Sequence, residues 1–244
     1  LDFLSPALLE AELGDNDLQG NPALRPETAW GADLGYEHRI GRTGVVGVNL
    51  FYRKVNDLIE LANTGVEGSE GPGTFVLQPQ NAGDGKVYGI EFDLSTNLGF
   101  LGLDNTGIFG NLSLLDSEIR DFAGQRRFNG QSKYVYNFGV IQDLPKLGAA
   151  FGATYRKQGG AFDRIVGEEI FTSYGADLEL FIEKRFGESF TIRAVGSNLL
   201  NGKKREKFNK FTTITDQLDR SFDEYELEAE KAGPVFQIMA RMAF

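Results

Sequence analysis

Cysteine is absent from the 244-residue sequence, histidine occurs once, and no run of roughly 18 apolar residues is found. With no cysteine, one histidine and no serine in a nucleophile-elbow context, the sequence holds no catalytic constellation, so we expect no enzymatic activity. The missing apolar run excludes a membrane-spanning helix, but it leaves open a membrane protein made of alternating strands. The net charge of -10 argues against nucleic acid as a partner.

Alternation of apolar and polar side chains is the main pattern that is present. Glycine and phenylalanine are abundant, at 31 and 20 residues. An apolar residue at every second position is the period of a strand with two different faces. We count nine such segments, each close to the roughly ten residues that an outer-membrane strand needs. They lie near residues 30–40, 46–53, 88–96, 108–114, 134–140, 149–155, 174–182, 190–194 and 236–244.

The connections between these segments fall into two length classes that alternate strictly. Four are short turns, and four are long loops, of which the first is a glycine-rich stretch from Asn63 to Gly85. Short periplasmic turns and long extracellular loops are typical of a transmembrane β-barrel, whereas a soluble sandwich has no reason to sort its connections by length. The alternation predicts a periplasmic C-terminus.

Nine strands do not close a bacterial barrel, because single-chain barrels use an even number and an open edge in lipid leaves backbone groups unpaired. We therefore expect an all-β, transmembrane, antiparallel up-and-down β-barrel to which this chain contributes about nine C-terminal strands. Residues 1–27 are expected to be an extracellular loop segment, and residues 28–244 the C-terminal portion of the barrel. Glycines recur on the polar side of the strands, which indicates either sheet curvature or the close approach of another backbone.

Three stretches resemble parts of TonB-dependent receptors. Gly20 to Glu27, GNPALRPE, looks like the Asn-Pro-x-Leu-x-Pro-Glu segment that precedes a strand in the second half of their barrel. Ser197 to Asn201, SNLLN, is similar to their Asn-Leu-Phe-Asp segment, with Leu200 in place of the usual aromatic. The last strand resembles their closing strand, and its barrel-assembly signal would consist of Phe236, Ile238, Met242 and Phe244.

This resemblance implies a 22-stranded type of barrel whose plug domain and N-terminal strands lie outside this chain. It implies an outer-membrane receptor that imports a scarce nutrient, of the siderophore-iron, cobalamin or carbohydrate class, without a cofactor. The implied partners are the TonB complex, acting through the plug, the barrel-assembly machinery, lipopolysaccharide and other outer-membrane lipid, and the small-molecule nutrient. Two alternatives stay open: a passive porin-like channel, and a non-transporting surface or adhesive β-protein.

The long loops carry the candidate ligand-binding residues. Arginine beside an aromatic ring suits an anionic or planar ligand such as a siderophore, and it equally suits loop packing. The candidates are Gln78, Gln80, Asn81, Arg126, Arg127, Phe128, Phe162 and Arg164. In the last loop, a basic half at 203–210 and an acidic half at 216–230 are expected to face each other in a hairpin that turns near Leu218. Alternatively, the basic half binds lipopolysaccharide phosphates or the acidic half holds a divalent cation.

Overall fold

The structure, a computed structural model, describes residues 4, 8–10, 16–41, 43–69, 71, 72 and 74–243. The strands are β1 (Leu8–Glu10), β2 (Asp17–Gln19), β3 (Thr28–Ile40), β4 (Gly44–Glu67), β5 (Phe75–Leu98), β6 (Leu103–Asp121), β7 (Gly124–Arg126), β8 (Tyr134–Leu144), β9 (Ala149–Gln158), β10 (Ala161–Ile165), β11 (Glu168–Ser173), β12 (Asp177–Phe186), β13 (Phe190–Ser197), β14 (Lys204–Lys210), β15 (Glu224–Glu230) and β16 (Val235–Met242). A short helix, α1 (Ile214–Asp219), lies between β14 and β15. No helix among the described residues is long and apolar enough to cross a membrane.

Nine long strands form one antiparallel meander. Their order in the sheet is β3, β4, β5, β6, β8, β9, β12, β13 and β16, and each pairs with the next. The predicted all-β fold with about nine up-and-down strands is confirmed. Within the described part of the chain, the edge strands β3 and β16 do not pair with each other, so the sheet is open. We call the end of the sheet with the long connections the loop end.

The two faces of this sheet differ as the alternation predicts. Direct cross-strand pairing joins one apolar row over six strands: Val46, Leu94, Gly110, Phe138, Tyr155 and Leu178. The adjacent paired row, one position closer to the loop end on every strand, consists of polar residues and glycine: Gly47, Asp93, Asn111, Asn137, Arg156 and Asp177. We call these the apolar face and the polar face. The apolar face leaves Leu34 at 70% and Ile238 at 80% exposure, which suits contact with lipid.

Several glycines on the polar face are covered by phenylalanine rings from the neighbouring strand. The pairs lie directly opposite each other in the ladder: Phe51 with Gly89, Phe109 with Gly139, and Phe181 with Gly152. A Cβ atom at Gly89 would lie 2.8 Å from the ring of Phe51, so these positions cannot carry a side chain without a shift of the ring. Within this chain, these three glycines are therefore covered by the phenylalanine rings opposite them.

The hairpin of β4 and β5 extends far beyond the length that crosses a membrane, since each strand has 24 residues. The prediction of a loop from Asn63 to Gly85 is therefore wrong, because pairing continues as far as Glu67 and Phe75. Asp57 has a φ of 54° and lies where the register shifts. A bulge of this kind bends a strand, and beyond it the hairpin continues at the loop end as an arm, in which β2 pairs in parallel with β5 at Val76 and Leu77.

A small cluster of buried apolar side chains lies at the loop end. Val55, Leu58 and Ile119 are 6%, 9% and 2% exposed, and Phe128 packs against them. The ring of Phe128 also covers Gly85, where a Cβ atom would lie 2.5 Å from it. Because Val55 continues the polar-face register of β4, the connection between β7 and β8 that carries Phe128 folds over the polar side of the sheet.

Candidate functional site

Two of the long loops form a second sheet. The β10–β11 hairpin connects β9 to β12, and the β14–β15 hairpin connects β13 to β16. These hairpins pair through β11 and β14, from Glu168 opposite Lys210 to Ser173 opposite Arg205. We call the four strands the loop sheet. The two loops therefore share one ladder of six residue pairs.

The predicted hairpin of the last loop is confirmed, with basic residues on β14 facing acidic residues on β15. Lys210 pairs with Glu224 at 3.2 Å and with Glu226 at 3.0 Å. The turn contains α1 rather than a tight bend, and Leu218 lies within it. Thr213 caps this helix, since its side chain accepts a hydrogen bond from the Asp216 amide at 3.1 Å.

A buried arginine joins the loop end of β6 to the β4–β5 arm. Arg126 on β7 donates to Glu60 Oε2 at 2.5 Å and to Asp121 Oδ2 at 2.6 Å. Its side chain is 5% exposed, and those of Glu60 and Asp121 are 10% and 12% exposed. Burial lowers the pKa of Arg126, but the hydrogen bonds that it donates to Glu60 and Asp121, together with their negative charges, raise it more, so the net pKa lies above its ordinary value.

The same network continues into the loop sheet. Arg164 on β10 donates to Glu169 Oε1 at 2.9 Å and lies 3.5 Å from Asp121 Oδ1. Arg220, which caps α1, lies 3.3 Å from Glu169 Oε2. The side chain of Glu169 is 3% exposed. We call Arg126, Arg164, Arg220, Glu60, Asp121 and Glu169 the arginine cluster, and it links the arm, the β6–β7 hairpin and both hairpins of the loop sheet.

Two side-chain amides complete these links. Asn129 exchanges hydrogen bonds with the backbone of Arg164, its Nδ2 donating at 3.2 Å and its Oδ1 accepting at 2.9 Å. Gln217 of α1 is 2% exposed; it accepts from the Gly167 amide and donates to the Ile165 carbonyl, both at 2.9 Å. Each side-chain amide forms hydrogen bonds with backbone groups of a different loop. These bonds connect the two loops in each case.

Asp163 is a half-buried carboxyl beside this cluster. Burial raises its pKa, while nearby Arg126 lowers it and nearby Glu60 and Glu206 raise it, so the net pKa lies above its ordinary value. The nearby Gly130 amide partly offsets this rise by lowering the pKa of Asp163. Ionised Asp163 is therefore less favourable in the folded loops than in water.

The proline-containing segment before β3 is bound against the arm. Asn21 Nδ2 donates to the Pro79 carbonyl at 3.0 Å, and Arg25 pairs with Asp57 at the bulge. Asn81 accepts from the Arg25 amide at 2.9 Å and donates to the Arg25 and Asp57 carbonyls at 3.0 and 2.8 Å. The segment thus holds the bent arm in place at the start of β3.

The second motif also has a structural role. Asn198 adopts a left-handed φ of 53° just after β13. Its amide donates to Asp177 Oδ1 at 2.9 Å, and its side chain donates to the Gly233 carbonyl at 2.9 Å and accepts from the Gly202 amide at 3.1 Å. Asn198 therefore ties the ends of β12, β13 and β16 at the point where the last loop leaves the sheet.

The eight candidate ligand-binding residues fall into three places. Four of them, Arg126, Arg127, Phe162 and Arg164, line one cavity of about 600 Å³ at the loop end. The ring of Phe162 stacks on Phe171 with 4.8 Å between centroids, and the Arg164 guanidinium lies 5.2 Å from its centre. Phe128 packs in the small apolar cluster instead.

The other three candidates lie on the β4–β5 arm. The side chain of Gln78 donates to the Gly20 carbonyl at 3.1 Å, and Asn81 holds the segment around Arg25. Gln80 is exposed. Of the predicted assembly signal, Phe236, Ile238 and Met242 lie on β16 and are 76%, 80% and 59% exposed, whereas Phe244 is outside the described residues. Ligand binding by the eight residues and assembly by the last strand stay predictions.

One group of carboxylates has the spacing of a cation site. Oxygen atoms of Glu206, Glu228 and Glu230 lie within 4.8 Å of one another on the loop sheet. Lys204 Nζ lies 2.6 Å from Glu206 Oε2 and already supplies a positive charge there. One of the three negative charges is therefore already offset within the protein.

Comparison with known proteins places these features in a family. The family described as TonB dependent receptor-like, beta-barrel, matches residues 4–199. The chain belongs to this family. The predicted resemblance is thereby confirmed for the receptor barrel, and the family is one of outer-membrane proteins. No curated protein matches the sequence.

Solved receptors share the fold of this TonB-dependent receptor barrel. A variant of the ferric enterobactin receptor of Pseudomonas aeruginosa is 20% identical, with 77% of this chain and 28% of that chain covered and a TM-score of 0.54. The copper transporter OprC is 16% identical, with 91% and 32% covered and a TM-score of 0.64. The siderophore receptor PirA from Pseudomonas aeruginosa is 20% identical, with 80% and 32% covered and a TM-score of 0.53. This chain spans about a third of the length of these receptors, which are transport receptors rather than enzymes.

The sequence reasoning missed most of the receptor's arginine cluster. Glu60, Asp121, Glu169 and Arg220 were not singled out, and Arg126 and Arg164 were proposed only as ligand contacts. No local pattern marks the acidic partners, because Glu60 is 66 positions from Arg126 and many other carboxylates were equally available. The one sequence pattern that indicates such a cluster is the presence of both arginine and acidic residues within the long loops.

Proposed function

We propose that this chain is the C-terminal part of the barrel of an outer-membrane receptor that imports a scarce nutrient of the siderophore-iron, cobalamin or carbohydrate class. The observation that carries the proposal is the combination of a sheet with two different faces and long connections that interlock at one end. Nine strands pair an apolar face with a polar face, and the long connections at one end interlock through buried ion pairs. Long connections that are held together next to a polar interior suit selective binding of a nutrient better than its passive diffusion through an open channel.

The proposal covers the orientation of this chain and the parts of the receptor that lie outside it. Residues 1–27 form an extracellular segment and residues 28–244 form barrel, with the C-terminus in the periplasm. A plug domain would occupy the polar interior and couple to the TonB complex, and the assembly machinery would read Phe236, Ile238, Met242 and Phe244. These partners come from family membership rather than from contacts within this chain.

For the nutrient itself, we propose that the cavity between β7 and β10 supplies part of the contact surface. Phe162 and Arg164 present an aromatic ring beside a guanidinium, and Gln80 is an exposed amide on the arm. Such groups suit an anionic or planar ligand. The names of the similar receptors, for ferric enterobactin and copper, agree with import of a metal or its chelate.

Growth of the native host on single nutrient sources tests the proposal. Loss of the gene for the full-length receptor should abolish growth on one iron, cobalamin or carbohydrate source, and loss of the TonB complex should have the same effect. If growth requires the gene but not TonB, the protein is a passive channel. If no source depends on the gene, the adhesive alternative gains support.

The intact mass of the polypeptide extracted from outer membranes is a second test. A plugged barrel of 22 such strands would have roughly threefold the 26.9 kDa of this chain. A mass equal to 26.9 kDa would contradict the receptor proposal for a single chain.

A further inference from the structure

The four strands of the loop sheet continue four strands of the nine-strand sheet in the same order. β10 follows β9 and β14 follows β13 along the chain, whereas β11 leads into β12 and β15 leads into β16. The order is β10, β11, β14, β15 in the loop sheet and β9, β12, β13, β16 in the nine-strand sheet. The last strands of the two orders, β15 and β16, therefore have their open edges on the same side of the molecule.

The open edge of β15 presents backbone groups that no described strand pairs with. The Phe211 amide donates to the Gly167 carbonyl at 2.8 Å, so the odd-numbered residues at this end of β14 face β11. The Lys210 carbonyl accepts from the Asp223 amide at 2.9 Å, so the even-numbered residues face β15. Because Lys210 lies opposite Glu224, the even-numbered residues of β15 bond to β14. The residues whose N–H and C=O groups point away from the sheet are Tyr225, Leu227 and Ala229.

The side chains of β15 alternate between acidic and apolar. Four glutamates lie on one face of the strand and three apolar residues on the other: Glu224, Glu226, Glu228 and Glu230, and Tyr225, Leu227 and Ala229. Among the described residues, no lysine or arginine lies within ion-pair distance of Glu228, which is directly opposite Glu206. Leu227 is 55% exposed. The edge thus combines unpaired backbone groups with excess negative charge on one face and an exposed apolar row on the other.

Closure of the proposed barrel brings a further strand to this side. An open edge of β16 in lipid would leave its backbone groups unpaired, so another strand of the receptor must pair with it. This chain spans about a third of the length of the similar receptors, and we place the closing strand in the remaining part. The strand that pairs with β16 at the loop end reaches the membrane surface directly beside β15.

We propose that this closing strand continues above the membrane and pairs with β15, which makes it the fifth strand of the loop sheet. It carries lysine or arginine beside Glu228 and Glu230, and apolar residues beside Tyr225 and Leu227, because opposite charges and apolar pairs stabilise neighbouring strands. The same continuation already holds for β9, β12, β13 and β16. The inference rests on the proposed receptor barrel. It assigns the edge of β15 to a basic, extended segment of the same receptor.

Hydrogen–deuterium exchange of the full-length receptor, measured on fragments that cover β15 and β16, tests closure and continuation separately. We expect the amides of Tyr225, Leu227 and Ala229 to exchange as slowly as the other amides of β15. Slow exchange throughout β16 with fast exchange at these three amides would overturn the inference and leave the proposed barrel intact. Fast exchange in both strands would contradict the barrel as well.

Glu228→Lys tests the charge of the added strand. Within this chain the substitution replaces two facing carboxylates by an opposite-charge pair with Glu206, so this chain alone predicts unchanged or slower exchange at Leu227 and Ala229. Beside a basic strand it replaces attraction by repulsion, and we expect exchange at these amides to rise about threefold to tenfold. Asp219→Lys is the matched control, since it makes the same charge change at an exposed position of α1. Unchanged or slower exchange in the Glu228 variant would overturn the inference, because the glutamates would then only keep the edge free of partners.

Photo-cross-linking identifies what lies beside the edge. The variant Leu227→p-benzoylphenylalanine of the full-length receptor is irradiated in outer membranes, and the linked peptides are sequenced by mass spectrometry. We expect a link to a segment of the same polypeptide that precedes this chain and has a basic residue at every second position. A link to a different protein, links only to residues of this chain, or no link would each overturn the inference.

Discussion

Replacing Arg126 with glutamine tests whether the arginine cluster holds the loops together. The substitution leaves Glu60 and Asp121 as carboxylates whose side chains are only 10% and 12% exposed. Breaking a buried ion pair by removing one partner costs about 3–5 kcal/mol, because the remaining charge is uncompensated. Local opening of the loops should therefore become roughly a hundredfold to a few thousandfold more frequent, at about 1.4 kcal/mol for each factor of ten.

Arg127→Gln is the matched control for this substitution. The neighbouring residue has the same side chain, but its own exposure is 28% and that of its partner Asp116 is 50%. An exposed pair of this kind contributes about 0–1 kcal/mol. The two variants thus differ by one position in sequence and by several kcal/mol in expected effect.

Hydrogen–deuterium exchange of the full-length receptor measures the difference. In the Arg126 variant, amides of β7, β10 and β11 should exchange faster, while amides of β8 and β9 within the sheet should be unchanged. Adding Glu60→Gln should recover part of the loss, since the double variant buries one carboxylate fewer. The reasoning would be refuted if both arginine variants exchanged at the same rate, or if the added substitution slowed nothing.

Three further substitutions have defined outcomes. Asp163→Asn should raise the thermal stability of the loops near neutral pH, because a raised folded-state pKa makes ionisation unfavourable there; the gain should vanish at about pH 3, where the carboxyl is protonated in both states. Gly139→Ala should destabilise the sheet by about 1–3 kcal/mol in urea unfolding, since its Cβ would meet the Phe109 ring, whereas Gly107→Ala, with only backbone oxygens at 3.9 and 4.0 Å, should be nearly neutral. Thr213→Ala removes a helix cap worth about 1 kcal/mol, and faster exchange confined to α1 would show it.

The nine strands could be predicted because a membrane imposes the same rule on each of them. Lipid on one side and a polar interior on the other force a two-residue period, so each strand carries its own signal. Above the membrane this rule ends. The stretch from Asn63 to Gly85, which makes up much of the arm, has no amphipathic period. Its glycine-rich sequence predicts a loop, although β4 and β5 remain paired there.

The loop contacts could be predicted only where the partners are close in sequence. Lys210 and Glu224 are 14 positions apart in one hairpin, so opposite charges in the two halves indicate pairing. Arg126 and Glu60 come from different hairpins, and nothing in the sequence selects one carboxylate from the others. Arginine in a loop therefore indicates an anionic partner, but only the structure shows whether the partner is the protein itself.

The shared ladder between β11 and β14 has a consequence for exchanging loops between receptors. Six residue pairs, from Glu168 with Lys210 to Ser173 with Arg205, connect hairpins that are separate in the sequence. A chimera that takes only one of these hairpins from a relative would expose the edge of the other and lose the Gln217 contacts. The two hairpins therefore form one unit for loop exchange at this end of the barrel, and a chimera should take both from the same relative.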